Sequence, residues 1–148
     1  MGSWSHSNSL PWSDIPDAAA AWQLIQLTDR KNGGILIDTW HYFRGAADPA
    51  QVRSVPPDRF FVIQFDDADA VQVGGYMEDT TQRRRLPGQG AFDLVTFIRM
   101  LDEMGVNAPV SVEILSDEQR ARPLEEAARL AHETTQAVFA RARVTRKI

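Results

Sequence analysis

The sequence predicts an α/β protein in which parallel strands alternate with helices. Three apolar runs support this prediction, at residues 35–37, 60–65 and 110–115. The first run is too short for a helix and too apolar for a strand with one face in water, which is typical of a parallel strand buried on both faces. The second is interpreted as another buried strand and the last as a third strand. Segments with helical periodicity lie before and between the runs, so helical crossovers are expected to join the strands.

Four segments show the apolar periodicity of a helix. They are residues 17–30, 48–55, 91–104 and a last helix that Pro123 opens. Ser13 or Asp14 is expected to cap the first of them, and Gly105 ends the third. The segment 68–90 is polar and shows few clear elements, although residues 71–73 are a candidate for brief strand pairing. Loops of this length inside a compact domain are usually functional.

Length and charge limit the classes of protein to consider. The chain has 148 residues and a formal net charge of −4, which predicts one domain of ordinary size. We expect residues 1–10 to be a polar, disordered start and residues 11–145 to form the domain. The acidic balance argues against broad binding to nucleic acid, which needs clustered positive charge.

Cysteine content and hydropathy exclude further classes. The chain contains no cysteine, so disulfides and thiolate metal sites are excluded. No apolar run approaches the roughly 20 residues that cross a bilayer, so no membrane partner is expected. The N-terminus lacks the positive start and apolar core of a signal peptide, which makes a cytoplasmic location the expectation.

A polar side chain stands at or near the end of each predicted strand. Asp38 closes the first strand with His41 three residues beyond it, Gln64 lies in the second strand and Glu113 in the third. Because the carboxyl ends of parallel strands form the ligand-binding face of α/β folds, these side chains are expected to face one opening. Oxygen ligands suit Mg²⁺, Mn²⁺ or a similar hard cation. Such a cation would stabilise the enediolate of a sugar, and a carboxylate beside the reacting carbon could move its proton.

Each of these residues also has a plain structural interpretation. Asp38 would be a turn or helix-cap residue, and His41 a packed histidine among aromatic neighbours. Gln64 would satisfy nearby backbone groups. Glu113 is harder to explain in this way, because a buried and unpaired carboxylate within an apolar strand is costly. The residues alone leave these alternatives open.

Three consecutive arginines, Arg83, Arg84 and Arg85, precede the turn Pro-Gly-Gln-Gly at 87–90. A solvated basic loop is the structural interpretation, and we favour it for Arg83 and Arg85. A guanidinium in a mobile loop above a site would instead clamp a carboxylate, a phosphate or a sugar hydroxyl. The tight turn would hold in place whatever precedes it.

Four segments in this order resemble the sugar phosphate isomerase/epimerase family of xylose isomerase-like TIM barrels. They are Asp-Thr-Trp-His at 38–41, Val-Ile-Gln-Phe-Asp-Asp at 62–67, Arg-x-x-Pro-Gly-x-Gly at 84–90 and Ser-Val-Glu-Ile at 111–114. Each segment alone is weakly specific. Together, in the correct order, they are fairly specific to the superfamily and not to one substrate.

The resemblance implies roles for individual residues. Asp38 and Glu113 match metal ligands, and Glu113 also matches the residue that handles a proton. His41 and Arg84 match residues that contact the substrate, with Trp40 beside them, so His41, Arg84 and Glu113 form the expected catalytic set. Gln64 stands where the family commonly has a metal-binding histidine, and its amide oxygen is a weaker ligand. The implied cofactor is a divalent metal, Mn²⁺, Mg²⁺ or Co²⁺.

The length indicates part of such a barrel. A complete barrel has eight strands and roughly 250 residues, whereas three or four strands with outer helices are expected here, resembling a C-terminal half barrel. Such a half would expose strand edges and an apolar inner face. The expected partner is a second copy, or a chain that supplies the missing half. The further metal-binding glutamate of the family falls at Asn8 or a neighbouring serine.

The expected function is metal-dependent isomerisation or epimerisation of a sugar, sugar phosphate or related polyol through an enediolate, impaired if the first half of the barrel is absent. One alternative is a non-catalytic half barrel that binds a partner or a polyol. Another is a dehydratase of inosose or dehydroshikimate type, which shares the enolate step. A DNA-repair nuclease of related fold is disfavoured, because the chain is acidic and has only three histidines.

Overall fold

The computed structural model describes residues 4–6 and 15–144 of the chain. The chain divides into two compact units. The first contains the residues up to Gln64 together with Leu101–Ser111, and the second contains Phe65–Met100 and the residues from Val112 onward. The backbone passes from the first unit to the second after residue 64, returns after residue 100 and passes to the second unit again after residue 111.

Four strands follow one another across the sheet in chain order. They are β1 (Trp4–His6), β2 (Gly34–Asp38), β3 (Phe60–Phe65) and β4 (Val110–Val112). β1 pairs with β2 in parallel, and β2 pairs with β3 in parallel. The predicted α/β class with parallel strands is therefore confirmed.

The start of the chain differs in part from the expectation. Residues 4–6, inside the segment predicted to be disordered, form β1, and Ser5 lies opposite Ile35 of β2. The remaining residues of that segment lie outside the described ranges, as do Ser13 and Asp14, the predicted caps of the first helix. The cap is Asp17, whose carboxylate accepts a hydrogen bond from the backbone N–H of Ala20 at 2.8 Å.

Seven α-helices lie within the described ranges. They are α1 (Ala18–Thr28), α2 (Thr39–Arg44), α3 (Pro49–Arg53), α4 (Tyr76–Gln82), α5 (Leu94–Met104), α6 (Asp117–Arg120) and α7 (Leu124–Val144), with a 3₁₀ turn at Pro57–Arg59. The four predicted helices correspond to α1, α3, α5 and α7. The three that were not predicted have at most seven residues each, too few for a periodic pattern to emerge. None of the helices described is long and apolar enough to cross a membrane.

Several boundaries differ from the predicted ones, among them the end of the third predicted strand, 110–115, which stops at Val112. The third predicted helix begins at Leu94 instead of residue 91, and the Asp93 carboxylate accepts a hydrogen bond from the N–H of Thr96 there. The polar segment 68–90 contains α4, and residues 71–73 form no strand. Val71 is 74% exposed, so this part of the chain has little apolar burial to support pairing.

The core of the first unit forms around β2. All five residues of that strand are buried, as expected for a strand covered on both faces. Buried apolar side chains from α1, α3, the 55–60 segment and β3 surround it: Ala21, Ile25, Val52, Val55, Phe60 and Ile63. This packing fixes the carboxyl end of β2, where Asp38 stands.

The core of the second unit forms between α5 and α7. Phe97 and Ile98 of α5 and Val138 of α7 are buried. Phe65 is buried too, and its ring lies 5.7 Å from that of Phe139, centroid to centroid. Leu86, in the loop before α5, is buried as well.

Candidate functional site

Asp38 has a clear structural role at the end of β2. Its Oδ1 accepts hydrogen bonds from the backbone N–H of Trp40 at 2.8 Å and of His41 at 3.2 Å, so it caps α2. The residue is 2% exposed. Its second oxygen, Oδ2, lies 3.9 Å from Nε2 of His41. The helix-cap interpretation is thus confirmed, and it uses one carboxylate oxygen while the other faces the imidazole.

The aromatic residues after Asp38 are packed against each other. The rings of Trp40 and His41 meet edge to face with centroids 5.1 Å apart, and the guanidinium of Arg44 lies 5.9 Å from the Trp40 ring. Trp40 is 0% exposed. Trp40 therefore has no exposed surface with which to make the expected contact with a substrate in this chain, and we assign it to packing.

Gln64 is brought beside Asp38 by the strand register. Asp38 of β2 lies opposite Gln64 of β3 in the parallel pair, and neighbouring strands are roughly 4.8 Å apart, with paired residues on the same face. A carboxylate and an amide oxygen are hard donors that fit a divalent cation. Among the described residues no group of three His, Cys, Asp or Glu side chains has a metal-binding arrangement. The strand register therefore brings these two oxygen donors together, and Asp38, Gln64 and Glu113 as metal ligands stay a prediction.

Arg84 in the second unit is buried, which differs from the expected mobile loop. It is 3% exposed. Its Nε donates to the backbone oxygen of Thr80 at 2.9 Å and its Nη2 to Oγ1 of Thr80 at 3.0 Å. Its Nη1 donates to Asp66 and, at 3.1 Å, to Oε2 of Glu113. Four hydrogen bonds to three residues hold this guanidinium in one orientation.

Glu113 is neither unpaired nor fully buried, contrary to the expectation. β4 ends at Val112, so Glu113 follows the strand, and its backbone N–H donates to the oxygen of Phe65 at 3.3 Å. Its side chain is 34% exposed and forms an ion pair with Arg84. The desolvation argument for a functional Glu113 therefore no longer applies. Glu113 is a half-exposed carboxylate whose direction is fixed by the buried guanidinium of Arg84.

Two residues of this cluster were missed by the sequence reasoning. Asp66 is fully buried and forms an ion pair with Arg84, and Thr80 supplies two acceptors from α4. The sequence contained a signal for Asp66, because this residue directly follows a predicted strand. Thr80 had none, because the helix that carries it was not predicted.

Asp67, the next residue, organises the turn before α5. It is 0% exposed. Its Oδ2 accepts from the backbone N–H groups of Gly88 and Gly90 at 3.0 Å each, and its Oδ1 from those of Ala68 at 2.8 Å and Phe92 at 3.0 Å. Burial raises the pKa of Asp67, and the four N–H donors limit the rise.

The turn is built around this carboxylate. Gly88 has φ +78°, which favours glycine. A Cβ on Gly90 would lie 2.3 Å from Oδ1 of Asp67. The predicted tight turn at 87–90 is thus confirmed, and the glycines let its backbone approach the buried carboxylate.

The outer two arginines largely behave as predicted. Arg83 is exposed. Arg85 is half-exposed and forms an ion pair with Asp69 at 2.8 Å. Only Arg84 of the three points into the unit, because consecutive residues of an extended segment alternate in direction.

Comparison with known proteins identifies the family. Residues 7–135 match the family described as "Xylose isomerase-like TIM barrel". The chain therefore belongs to the xylose isomerase-like TIM-barrel family, and its parallel β/α units are part of such a barrel.

Two curated relatives are informative. A 3-dehydroshikimate dehydratase from Pseudomonas aeruginosa is 32% identical over 103 residues, which are 70% of this chain and 16% of that protein. An inosose isomerase from Bacillus velezensis is 30% identical over 121 residues, which are 82% of this chain and 42% of that protein. The chain spans less than half the length of either relative.

Solved structures agree with this assignment. The crystal structure of the IOLI protein with a bound zinc atom matches with a TM-score of 0.74 at 28% identity, covering 83% of this chain and 43% of that one. An L-ribulose 3-epimerase matches with a TM-score of 0.62 at 18% identity and shares the fold. The likeness to the epimerase shows the fold alone, whereas the relatives of higher identity include enzymes named inosose isomerase and 3-dehydroshikimate dehydratase.

Proposed function

We propose that this chain contributes to the active site of a metal-dependent isomerase or epimerase that acts on a sugar, a sugar phosphate or a related polyol. The observation that carries the proposal is the register of Asp38 with Gln64, which places two oxygen donors side by side at the ends of adjacent strands. The family of the chain supports it, since one relative is named inosose isomerase and one solved relative has a bound zinc atom.

Asp38 and Gln64 would hold the cation. When bound, a divalent cation supplies a Lewis acid for the carbonyl and adjacent hydroxyl oxygens of a substrate. Asp38 would do this while its Oδ1 caps α2, with Oδ2 lying 3.9 Å from Nε2 of His41. His41 is proposed to donate a hydrogen bond to the substrate through its ring, which Trp40 orients by edge-to-face packing.

Glu113 is the proposed proton carrier and third metal ligand. It would remove the proton from the carbon beside the carbonyl and return it to the neighbouring carbon or to the opposite face, so that atoms balance within the substrate. Arg84, whose Nη1 donates to Oε2 of Glu113 at 3.1 Å, fixes the direction of that carboxylate. Because Arg84 is buried, we propose that it acts on the substrate mainly by positioning Glu113.

A Mn²⁺ titration followed by calorimetry tests the metal site. We expect binding by the unaltered chain and a loss of binding of about tenfold or more in Asp38→Asn. Asp48→Asn is the matched control, because Asp48 caps α3 by accepting from the N–H of Ala50 and is not in the proposed site. Equal affinity in both variants would contradict the assignment of Asp38.

Exchange of substrate hydrogen with solvent deuterium tests the chemistry without knowledge of the product. We expect Mn²⁺-dependent deuterium incorporation beside the carbonyl of a ketose or an inosose, detected by NMR, and its loss in Glu113→Gln. Incorporation at the same rate in Glu113→Gln would rule out Glu113 as the proton carrier. A chain that binds Mn²⁺ and catalyses no exchange would support a binding role alone.

Dehydration is the second candidate, because a relative named 3-dehydroshikimate dehydratase is 32% identical to the chain. The two reactions share proton removal beside a carbonyl and differ in the fate of the adjacent hydroxyl group. In a dehydratase that hydroxyl leaves as water. Mass spectrometry distinguishes them, since only dehydration lowers the mass of the product by one water.

Association with a second copy or with a chain carrying further barrel strands is proposed as the working form of the enzyme. Light scattering on the purified chain, with and without Mn²⁺, measures it directly. A monomer with full turnover would contradict this proposal and leave the metal site standing.

A further inference from the structure

A cavity of about 220 Å³ lies in the second unit, and Arg84 is one of the residues that line it. Eight residues line it: Asp69, Gln82, Arg83, Arg84, Arg85, Ser116, Asp117 and Glu118. Pockets that enclose a whole drug-sized ligand usually have roughly 300–1,000 Å³. The cavity therefore has room for one functional group of a larger molecule.

The three carboxylates around the cavity each have an arginine partner. Asp69 pairs with Arg85 at 2.8 Å. Asp117 pairs with Arg120 at 2.5 Å, and Glu118 pairs with Arg122 at 2.7 Å. Their charges are thus offset by neighbouring guanidinium groups, and they are poor candidates for binding a cation.

Arg83 differs from its neighbours in this cavity. Within the described part of the chain, it is the one lining arginine whose guanidinium has no carboxylate partner, since Arg84 pairs with Asp66 and Glu113 and Arg85 with Asp69. Its charge is therefore available to a ligand, and an Arg guanidinium binds carboxylate and phosphate oxygens in a bidentate manner.

Ser116 is a second polar group at the same place. It forms an antiparallel backbone bridge with Arg83, so the two residues are direct neighbours. Ser116 is 4% exposed, and although it precedes α6 its side chain makes no capping hydrogen bond. A buried hydroxyl without a capping role, beside an available guanidinium, is the donor pair that an oxyanion requires.

We propose that Arg83 and Ser116 bind an oxyanion, a carboxylate or a phosphate, carried by the substrate. The role of this group as part of the substrate rests on the proposed function, because Arg84 lines the same cavity and also holds Glu113. Such a site would distinguish polyols by charge, whether they are cyclic or open-chain. Those with an acidic group would be bound at a second point, and neutral ones would not.

Titrations of the metal-free full chain, followed by ¹H–¹⁵N NMR, test this site independently of the metal. The probes are inorganic phosphate, shikimate as a cyclic polyol with a carboxylate, and myo-inositol as a neutral cyclic polyol. We expect saturable shifts of the Arg83 and Ser116 amide signals with phosphate or shikimate, weakened by added salt. No such shifts are expected with myo-inositol.

Two variants complete the test. Arg83→Gln removes the charge from an exposed position, and we expect it to weaken anion binding by about tenfold or more. Arg30→Gln is the matched control, because Arg30 is also exposed and lies in the other unit. Ser116→Ala is expected to weaken binding by a smaller factor.

Each result decides the proposal. Response to phosphate alone or to shikimate alone supports the site and identifies the acidic group. Equal binding by Arg83→Gln and Arg30→Gln, or equal response to myo-inositol, would overturn it. The anion titration is carried out without metal, so its result does not depend on Mn²⁺ binding. Absence of Mn²⁺ binding would therefore contradict the proposed function without affecting the test of the anion site.

Discussion

The carboxylates at the ends of β2 and β3 are held in different ways. Asp38, at the end of β2, accepts hydrogen bonds from the backbone N–H groups two and three residues ahead. Asp66 and Asp67 follow β3. Asp66 pairs with Arg84, 18 residues away, and Asp67 accepts from Gly88 and Gly90, 21 and 23 residues away.

This difference separates local from long-range positioning. The cap at Asp38 forms whenever α2 forms, because its partners are neighbours in the chain. The partners of Asp66 and Asp67 meet them only after the segment 68–92 has folded back. We therefore expect the second region to be more sensitive to substitution and the first to be more tolerant.

Arg84→Ala is the largest perturbation that this comparison predicts. Asp66 is fully buried, and removal of one partner from a buried ion pair costs roughly 3–5 kcal/mol because the other charge loses its compensation. Urea unfolding of the variant measures the change in free energy. Arg83→Ala is the control, with an expected change within about 0.5 kcal/mol because its side chain is exposed. Similar losses in the two variants would refute the special role of Arg84.

Asp67→Asn is expected to have the next largest effect. The amide offers one acceptor oxygen in place of two, so some of the N–H groups of Ala68, Gly88, Gly90 and Phe92 would lose their acceptor. The expected cost is about 1–3 kcal/mol. Amide hydrogen exchange would show faster exchange at Gly88, Gly90 and Phe92, with Leu36 of β2 unchanged. Uniform acceleration across both regions would indicate global destabilisation instead.

Substitutions of Asp38 separate its cap from its proposed metal role. Asp38→Ala removes the cap of α2 and is expected to cost about 1 kcal/mol, whereas Asp38→Asn retains an acceptor and should cost less. Thermal unfolding compares their stabilities. If Asp38→Asn keeps the stability and loses Mn²⁺ affinity, the two roles are distinct. A cost as large as that of Arg84→Ala would end the contrast between the two regions.

The smallest expected effect is the pH dependence contributed by Asp67. Burial raises its pKa in the folded protein above the ordinary value of 3.8, so the folded protein retains a proton that the unfolded chain has lost. The stability contributed by Asp67 is therefore fully present below about pH 3.8 and decreases as the pH rises through the folded pKa.

The measurement is the difference in unfolding free energy between the unaltered chain and Asp67→Asn across this range. We expect the advantage of the unaltered chain to decrease as the pH rises. The opposite slope would show that the four N–H donors outweigh burial and lower the pKa of Asp67 in the folded protein.

Residue patterns predicted the fold class and three of the four described strands, although β4 is shorter than predicted and β1 was missed. The runs at β2 and β3 were identified with their ends, because short apolar runs between turn residues have few other solutions. The family was also accessible, since four short segments in order carry the resemblance. Helices α2, α4 and α6 were missed, because elements of four to seven residues hold too little periodic information.

The places of the candidate residues along the chain were predicted, whereas their surroundings were predicted only in part and their membership of one site stays a prediction. Asp38, His41 and Gln64 were found at strand ends, and the register places Asp38 beside Gln64. Arg84 was expected in a mobile loop, and Glu113 was expected to be buried and unpaired. Both differ because Arg84 pairs with Asp66, 18 residues away, and with Glu113, 29 residues away, and no local pattern indicates such an ion pair.

The sequence by itself determined the parallel α/β class and the family and offered a cap at Asp38 as one interpretation, because periodicity, order and neighbouring backbone groups are local properties. Only the tertiary structure decided that Arg84 is buried between two carboxylates and that Asp67 accepts hydrogen bonds from the turn at 87–90. Those contacts join residues 18 to 29 positions apart. They depend on the path of the folded chain, since each polar group that loses water on burial must find its partner wherever folding brings one.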